Sequence, residues 1–317
     1  MVQVNISLSV CFLNMQKLLL KPSYLFITNF ISQKTLRTNS FTKLKKMKSN
    51  IKFLALLMTS FLVFSCSSDD EAEVISGNGD MELFFDNAVN GDALILGNSY
   101  TNSNGETLKI NRFNYIVSNF VLIKEDNTEV VYPKNDSYFI ISHEASLNEI
   151  VLENIPAGNY KAIKFGIGID QERFNAGQAA QQAFWDQAAT HFLTWSWSVG
   201  YKNINFEGTF TSPTVDGERD FKVHIGSHGT VLDNYREISI NFPSVARVRT
   251  TETPSVHFIA DANSILDGAS KLKLGDAINN AGWAQIMVNA EKAPIIANNV
   301  QAGMFEVDHV HNGAADH

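Results

Sequence analysis

Histidine is the residue type in this 317-residue chain whose spacing most directly suggests chemistry. Of the eight histidines, His224 and His228 stand at i,i+4 spacing, and His309 and His311 at i,i+2 spacing. Neutral imidazole nitrogen is a good ligand for copper or zinc. In a flat strand His309 and His311 share a face at roughly 7 Å, whereas His224 and His228 lie roughly 13 Å apart, so a bend at Gly226 would be needed to bring them together. All four histidines are candidate metal ligands.

Each of these candidates also has a purely structural interpretation. A polar turn would accommodate His224 and His228 as unrelated side chains. The segment Asp308–His311 is equally compatible with an exposed polar tail whose affinity for metals is adventitious. Met304 is a candidate soft ligand for Cu(I), although methionine is more often a filler of the core. The histidine spacing therefore indicates a metal site without locating it.

Trp195 and Trp197, two of only four tryptophans, form the second conspicuous pair. In a strand, i,i+2 spacing places both indoles on one face, and the pattern predicts a strand over 195–201. Indole rings bury a large area and donate one hydrogen bond, so packing in the core or at its edge is the simplest interpretation.

Carboxylates offer a third type of chemistry. Glu207, Asp170 and Asp220 could supply the pair of carboxyl groups that glycosidases use, but a chain with 33 acidic residues provides such pairs by chance. The sequence contains no glycine-rich phosphate loop, no Gly-x-Ser-x-Gly elbow and no His-Glu-x-x-His motif. We therefore expect a protein without catalytic turnover.

The N-terminal segment contains patterns typical of export and lipidation signals. Residues 47–65 combine a short basic start with the apolar run Phe53–Phe64, which is typical of a secretory signal peptide and too short for a stable membrane span. The small Ser65 precedes Cys66, a pattern that predicts cleavage before this cysteine and attachment of lipid to it. Residues 1–46 are basic and contain no acidic residue, which fits a start-site artefact or, alternatively, an organelle presequence.

Residues 66–79 predict a flexible acidic tether between the lipid anchor and the folded domain. An acidic run after such a cysteine resembles the export signal of surface lipoproteins. We therefore expect an outer-membrane lipoprotein of the cell envelope, facing either the outside medium or the periplasm.

The net charge and the cysteine content limit the kinds of partner and site that the mature chain can have. Cleavage before Cys66 removes nine of the 25 Lys and Arg residues and no acidic residue, which leaves 16 basic against 33 acidic residues and a net charge of −17. Such a surface repels nucleic acid and suits either metal cations or plain solubility. Because Cys11 is removed and Cys66 is lipidated, the mature domain has no thiol for a disulfide, a nucleophile or a cysteine zinc site.

The chain after residue 79 predicts an all-β sandwich of the immunoglobulin-like or Greek-key type with one or two short helical insertions, spanning residues 80–311 and followed by a tail, 312–317. Short strand-like runs recur every 8–12 residues with turn signals such as Asn90-Gly91 between them. A barrel is the alternative. Helices are expected within 171–189 and 262–278, with a further short helix at 294–299 and a last strand at 304–308.

Several phrases together resemble the MbnP-like family of secreted, often lipid-anchored bacterial proteins. The match runs from about Met81 to Met304-Phe305, and the ordered set is specific although no single phrase is. The phrases are Phe85-Asp-Asn87, Tyr115-Ile-Val-Ser-Asn119, Ile155-Pro-Ala-Gly-Asn-Tyr160, Phe165-Gly-Ile-Gly-Ile-Asp170, Thr194-Trp-Ser-Trp-Ser-Val-Gly-Tyr201, Glu207-Gly208 and His224-Ile-Gly226.

The resemblance implies a β-sandwich associated with copper. In copper-handling relatives a tryptophan is oxidised to kynurenine by a MauG-like dihaem cytochrome peroxidase, which makes Trp195 and Trp197 the candidates here. His224 lies inside a family phrase and is favoured over His228. The chain departs from the family at Asp86-Asn87, where some copper-binding relatives are expected to place a histidine.

The sequence thus predicts a lipid-anchored protein that binds copper, or another transition metal, in metal acquisition or homeostasis. An alternative function is a surface binding module that contacts a glycan or an envelope protein through exposed aromatic residues such as Trp185 and Tyr201. A carboxylate-based hydrolase is the third possibility.

Overall fold

Strands dominate the two parts of the chain that the computed structural model describes, residues 75–227 and 232–313. They form two β-sheets packed face to face, which confirms the predicted all-β sandwich. The signal peptide, Cys66, His228, residues 1–46 and most of the tether and tail lie outside the described residues. No helix of the described part is long and apolar enough to cross a membrane.

Fourteen strands and four short α-helices make up the described part of the chain. The strands are β1 (Asn78–Val89), β2 (Asp92–Ala93), β3 (Ser99–Thr101), β4 (Thr107–Lys124), β5 (Glu129–Val131), β6 (Tyr138–Ser142), β7 (Glu149–Pro156), β8 (Gly158–Ile167), β9 (Ile204–Ser212), β10 (Val215–Ile225), β11 (Arg236–Val248), β12 (Ser255–Asp261), β13 (Ala284–Met287) and β14 (Phe305–His311). The helices are α1 (Gln171–Asn175), α2 (Gln182–Thr190), α3 (Ser264–Asp267) and α4 (Lys292–Gly303), with 3-10 turns at Lys134–Asp136, Gln178–Gln181 and Gly275–Ala277.

The smaller sheet has the strand order β14-β12-β1-β2, with β7 also paired to β1. The larger sheet has the order β11-β8-β4-β9-β10-β13, and β3, β5 and β6 pair with the long strand β4. The β1–β12 and β10–β13 pairs are parallel and the others antiparallel. Hairpin signals in the sequence carry no information about these two long-range pairs, because parallel neighbours are joined by long crossovers.

Alternation along β1 separates the core from solvent. Met81, Leu83 and Phe85 are fully buried, while Phe84 and Asp86 point to the other face. Because successive side chains of a strand point to opposite faces, one strand can fill the core and present a functional surface. The Asn90-Gly91 turn that ends β1 has positive φ at both residues, as expected for a tight hairpin between β1 and β2.

Aromatic rings hold the two sheets together. The Phe85 ring stacks on Phe258 at a centroid distance of 5.0 Å and meets the edges of Phe165, from the larger sheet, at 6.1 Å and of Phe305 at 6.2 Å. Edge-to-face and stacked pairs of this kind add about 0.5–1.5 kcal/mol each beyond the area they bury. The core thereby fixes β1, β12 and β14 in their relative positions.

Three local predictions change in the structure. Residues 195–201 form a loop, not a strand, because Val199 and Gly200 both donate backbone hydrogen bonds to the Ser196 carbonyl and Gly200 adopts φ +100°. The predicted helix at 262–278 shrinks to α3 and one 3-10 turn. The last strand is longer than predicted, and β14 includes both C-terminal histidines.

Candidate metal centre

The pairing of β12 with β14 brings a third histidine to the C-terminal pair. In this antiparallel pair His309 lies opposite His257, and His311 lies opposite Ser255. On its other side, β12 runs parallel to β1, which places His257 beside Phe84. Directly opposed residues have Cβ atoms only about 4.5–5.5 Å apart, so backbone register alone forces the histidine side chains together.

A β-bulge in β14 turns the histidines outward. His257 pairs with His309, but Phe258 pairs with Val307, so Asp308 is the extra residue. In a regular strand, Val307, His309 and His311 would share one face. The bulge changes the parity, so that Val307 lies opposite the buried Phe258 while His309 joins His257 on the outer face. The seven residues of β14 thus supply both side chains for the core and the outward-facing histidines.

The three imidazole rings form one compact cluster, which we call the histidine cluster: His257, His309 and His311. The rings of His257 and His309 stack at 4.3 Å, His311 meets His309 edge-on at 4.6 Å, and His257 and His311 are 5.7 Å apart. One ring nitrogen from each lies within 4.8 Å of the others. Tetrahedral sites with metal–nitrogen bonds of about 2.0–2.1 Å place ligand nitrogens about 3.4 Å apart, a small side-chain adjustment away.

Two carboxylates orient the rings of the histidine cluster. His257 Nδ1 donates a hydrogen bond to Asp86 Oδ2 at 3.3 Å, and His309 Nδ1 donates one to Asp308 Oδ2 at 2.7 Å. Phe84 stacks on the far face of His257 at 4.7 Å with an interplanar angle of 8°. In a neutral ring whose Nδ1 donates in this way, Nε2 carries the lone pair with which histidine binds metals.

The cluster lies where an ion can reach it. The His257 side chain is 13% exposed and that of His309 is 43% exposed, and His311 is exposed. One half-buried histidine with two more accessible partners leaves coordination positions for water or a further ligand. Three imidazoles suit copper, zinc and nickel rather than magnesium or calcium.

His224 lies on the other sheet, away from this cluster. It is buried on β10, where its Nε2 donates to Glu207 Oε1 at 2.6 Å and its ring centroid is 6.1 Å from that of Trp195. Burial lowers the pKa of His224, and this effect outweighs the hydrogen bond to Glu207, which raises it. Its Nδ1 has no hydrogen-bond partner among the described residues.

Met304 and the two predicted tryptophans occupy different environments. Met304 is 1% exposed and belongs to the hydrophobic core, where it acts as packing. Trp197 stacks on Phe174 at 5.1 Å and meets Trp185 edge-on at 5.0 Å, whereas Trp195 lies near His224. Because residues 195–201 form a loop, the prediction that both indoles share a strand face was wrong.

An open aromatic patch for a glycan or protein partner is not found at the predicted residues. Trp185 is only 8% exposed and Tyr201 only 2%, and Tyr201 donates its hydroxyl hydrogen bond to the buried Gln181. Trp185 and Phe184 are buried residues of α2, and Tyr201 packs with them in a small second core. The prediction that Trp185 and Tyr201 are exposed was wrong, because both side chains belong to this core.

The three candidate carboxylates, Glu207, Asp170 and Asp220, lie in different surroundings. Glu207 accepts hydrogen bonds from His224 and from Arg112, at 2.7 Å. Burial raises the pKa of Glu207, but the hydrogen bond from His224 and the neighbouring positive charges outweigh it and lower that pKa overall. Asp220 is exposed on β10. Glu207 is therefore a charged member of a half-buried network with Arg112 and His224.

The Asp170 side chain accepts hydrogen bonds that link α1 to β4 and β6. It caps α1 by accepting from the Arg173 backbone N–H at 3.0 Å, and it also accepts from Tyr138 at 2.6 Å and Asn119 at 2.9 Å. Burial raises the pKa of Asp170, but these hydrogen bonds and that of Lys134 outweigh it and lower the pKa to about 2. A lowered folded-state pKa stabilises the fold above the unfolded pKa near 4, and this contribution is lost as pH falls toward 2.

We therefore expect Asp170→Asn to reduce the free energy of unfolding by about 1–3 kcal/mol at pH 7, since each pKa unit corresponds to about 1.4 kcal/mol. At pH 2 the variant and the wild type should differ much less. Urea denaturation at the two pH values measures this, with the exposed Asp216→Asn as a control. An equal difference at both pH values would contradict the assignment.

His257 is the member of the histidine cluster that the sequence did not indicate. It stands alone between Val256 and Phe258, with no other histidine near it in the chain. A polar residue on the outward phase of a strand is a weak signal, because most outward positions are polar. Only the pairing of β12 with β14, about 50 residues later in the chain, gives this histidine its neighbours.

Comparison with known proteins assigns the chain to a family. A family model described as MbnP matches residues 78–287, a range that includes His257 but not His309 and His311. A solved structure, MbnP from Methylosinus trichosporium, is similar with 12% identity and a TM-score of 0.42, covering 74% of this chain and 99% of that chain. No curated protein matches.

Proposed function

Since the chain belongs to the MbnP family, we propose that it is a copper-binding protein of the cell envelope that holds the ion at His257, His309 and His311. The observation that carries the proposal is the convergence of one ring nitrogen from each histidine within 4.8 Å on the outer face of the smaller sheet. Membership in the family suggests a copper-associated function, and the histidine cluster supplies ligands of the type that copper requires.

The surroundings of the histidine cluster support a binding role. Its backbone is part of a regular sheet whose inner face is packed with aromatic rings, so the ligands stand on a rigid support. The carboxylates of Asp86 and Asp308 fix the orientation of two rings. Surface histidines without a ligand role have no need of such outer partners, whereas metal-ligating histidines have them almost always.

The proposal also includes a lipid anchor, which lies outside the described residues, and a tryptophan oxidation, which requires a partner enzyme. We propose that Cys66 carries lipid and tethers the domain to the outer membrane, and that the protein works in acquisition or homeostasis without catalytic turnover. Oxidation of a tryptophan by a MauG-like dihaem partner is a further part. Trp195 and Trp197 are the two candidates, and the ring of Trp195 lies 6.1 Å from that of His224 on the larger sheet, away from the histidine cluster.

The test of copper binding compares alanine variants of the three histidines with a matched control. We expect His257→Ala, His309→Ala and His311→Ala each to weaken copper binding roughly 100-fold or more, since loss of a ligand should exceed the 10–100-fold cost of losing an outer partner. His191→Ala, at the end of α2, should leave affinity unchanged. Competition with a chelator and metal analysis after dialysis measure both.

Two outcomes would contradict the proposal. If the wild-type protein retains no copper after loading, the proposed copper-binding function is wrong. Loss of copper in His224→Ala, together with full binding in His257→Ala, would move the site to the larger sheet. Peptide mapping of protein from its native host tests the modification separately, because kynurenine changes the mass of the peptide that contains Trp195 and Trp197.

A further inference from the structure

We infer that the outer face of the smaller sheet, the face that carries the histidine cluster, is a docking surface for a protein partner with a basic surface. The docking itself stands apart from the proposed function, whereas its role, exchange of the ion with that partner, rests on the proposed function. The inference arises from the distribution of charge between the two sheets, from the lack of ion pairs on this face, and from the composition of the face.

The two sheets differ in the charge of their strands. The five strands of the smaller sheet contain nine acidic residues and no Lys or Arg. The strands of the larger sheet contain nine Lys and Arg residues beside six acidic residues. The negative charge of the strands is therefore concentrated on one layer of the sandwich and is not spread evenly over it.

Strand register places much of this charge on the outer face. Glu82 stands two residues before Phe84 on β1, so the two side chains share a face. Glu149 of β7 pairs with Phe84, and Glu306 of β14 pairs with Ile259, which stands two residues after the β12 member of the histidine cluster. Directly paired residues project to the same side of a sheet. Three carboxylates therefore flank the histidine cluster, in addition to the two that bond its rings.

These three carboxylates have no cationic partner among the described residues. Glu82, Glu149 and Glu306 form no ion pair with a described Lys or Arg, whereas Glu207 and Glu218 of the larger sheet pair with basic residues of the neighbouring strand β4. Like charges that face solvent without a counter-charge repel one another and oppose the compact state. A partner that brings positive charge to this face relieves that repulsion.

The spacing of the carboxylates suits an extended partner and not a second ion. Glu82 and Asp86 stand four residues apart on β1, which is roughly 13 Å in an extended strand and too far for one cation to bridge. Among the described residues, the three histidines are the only group of three potential ligands close enough together to hold an ion. The carboxylates therefore supply a field over the whole face.

The composition of the face fits a transient protein contact. Phe84 and Ile259 are half-buried beside the histidine cluster, and Val151 is exposed on β7. An apolar centre inside a charged rim is the usual anatomy of a protein interface. Four strands about 4.8 Å apart give a face only about 14 Å wide, which matches the small contacts of short-lived complexes. A charged rim raises the rate of encounter, and a short-lived contact suits the exchange of an ion.

Charge disfavours the other occupants of such a face. A second copy of the chain would bring two acidic faces together, and like-charge juxtaposition costs several kcal/mol. Nucleic acid and an anionic bilayer are repelled for the same reason. A protein whose own metal site is surrounded by Lys and Arg is attracted to the face and held over the histidine cluster.

The experiment measures binding of a basic protein probe, cytochrome c, to the metal-free protein at low ionic strength. The face variant combines Glu82→Gln, Glu149→Gln and Glu306→Gln, which keep the size of each side chain and leave the carboxylates that bond the histidines in place. We expect the face variant to bind the probe roughly tenfold more weakly than the wild type, because three exposed charge pairs are lost.

The matched control variant combines Asp216→Asn, Asp220→Asn and Glu237→Gln, three exposed positions on strands of the larger sheet. It has the same net charge as the face variant and should bind the probe within about twofold of the wild type. Equal weakening in both variants, or no binding by the wild type, would overturn the inference. Both measurements use metal-free protein, so neither outcome depends on copper.

A second measurement places the bound probe. On copper-loaded protein the probe should slow removal of copper by a chelator in the wild type and the control variant, but not in the face variant. An unchanged rate in the wild type would show that the probe docks away from the histidine cluster and would overturn the inference. Failure of the wild type to bind copper at all would instead overturn the proposed function and leave the docking result standing.

Discussion

Copper at saturation should raise the free energy of unfolding by about 2.7 kcal/mol when free copper is 100 times Kd, and by about 4.1 kcal/mol at 1,000 times Kd. The reason is geometric. The three ligands come from two strands, and His257 and His309 are neighbours only when β14 is paired with β12. An ion that binds all three therefore binds the folded sheet and not the unfolded chain.

Thermal denaturation with and without the ion measures this effect, and hydrogen exchange localises it. We expect slower exchange of the β14 backbone amides, because β14 is the edge strand of the smaller sheet and edge strands open most easily. His257→Ala should abolish the stabilisation, whereas His191→Ala should retain it. An equal increase in the His257→Ala variant would show that copper stabilises the protein from another site.

Phe85→Ala should destabilise the protein by about 3–5 kcal/mol, a large part of the usual net stability of a domain. The ring is 0% exposed and stands between both sheets, in contact with Phe258, Phe165 and Phe305. Its removal leaves a cavity that these rigid aromatic neighbours fill poorly. Urea denaturation followed by fluorescence or circular dichroism gives the change in free energy.

Phe84→Ala is the matched control, because it removes the same side chain from the adjacent position on the opposite face. Phe84 covers the His257 ring, so the variant should lose far less stability but weaken metal binding. A similar loss of stability in both variants would contradict the division of β1 into a core face and a site face.

The sequence was most informative where local pattern decides structure. The short strand-like runs, the Asn90-Gly91 turn and the Ala- and Gln-rich segment before Trp195 all led to correct element types, since residue pattern and turn chemistry are local properties. The loop at 195–201 was missed because its conformation depends on the positive φ of Gly200, while its aromatic residues have high strand propensity.

The candidate site was only partly predictable. His309 and His311 were identified by their own spacing, but His257 depends on a parallel β1–β12 pair and an antiparallel β12–β14 pair that no local signal specifies. Strict alternation along the strand would place His309 and His311 on the same face as Val307, because these residues are two positions apart. In the structure Val307 faces the core, whereas the two histidines face outward. The bulge at Asp308 resolves that conflict, and its presence follows from the partner strand.

The placement of two ligands on the last strand has a consequence for the order of events during biogenesis. Synthesis proceeds from the N-terminus, so β1 and β12 are made before β14. Under the proposed function, binding by all three histidines therefore requires β14 to be paired with β12. A chain truncated before β14 is expected to lack the three-histidine site and not to compete for the ion.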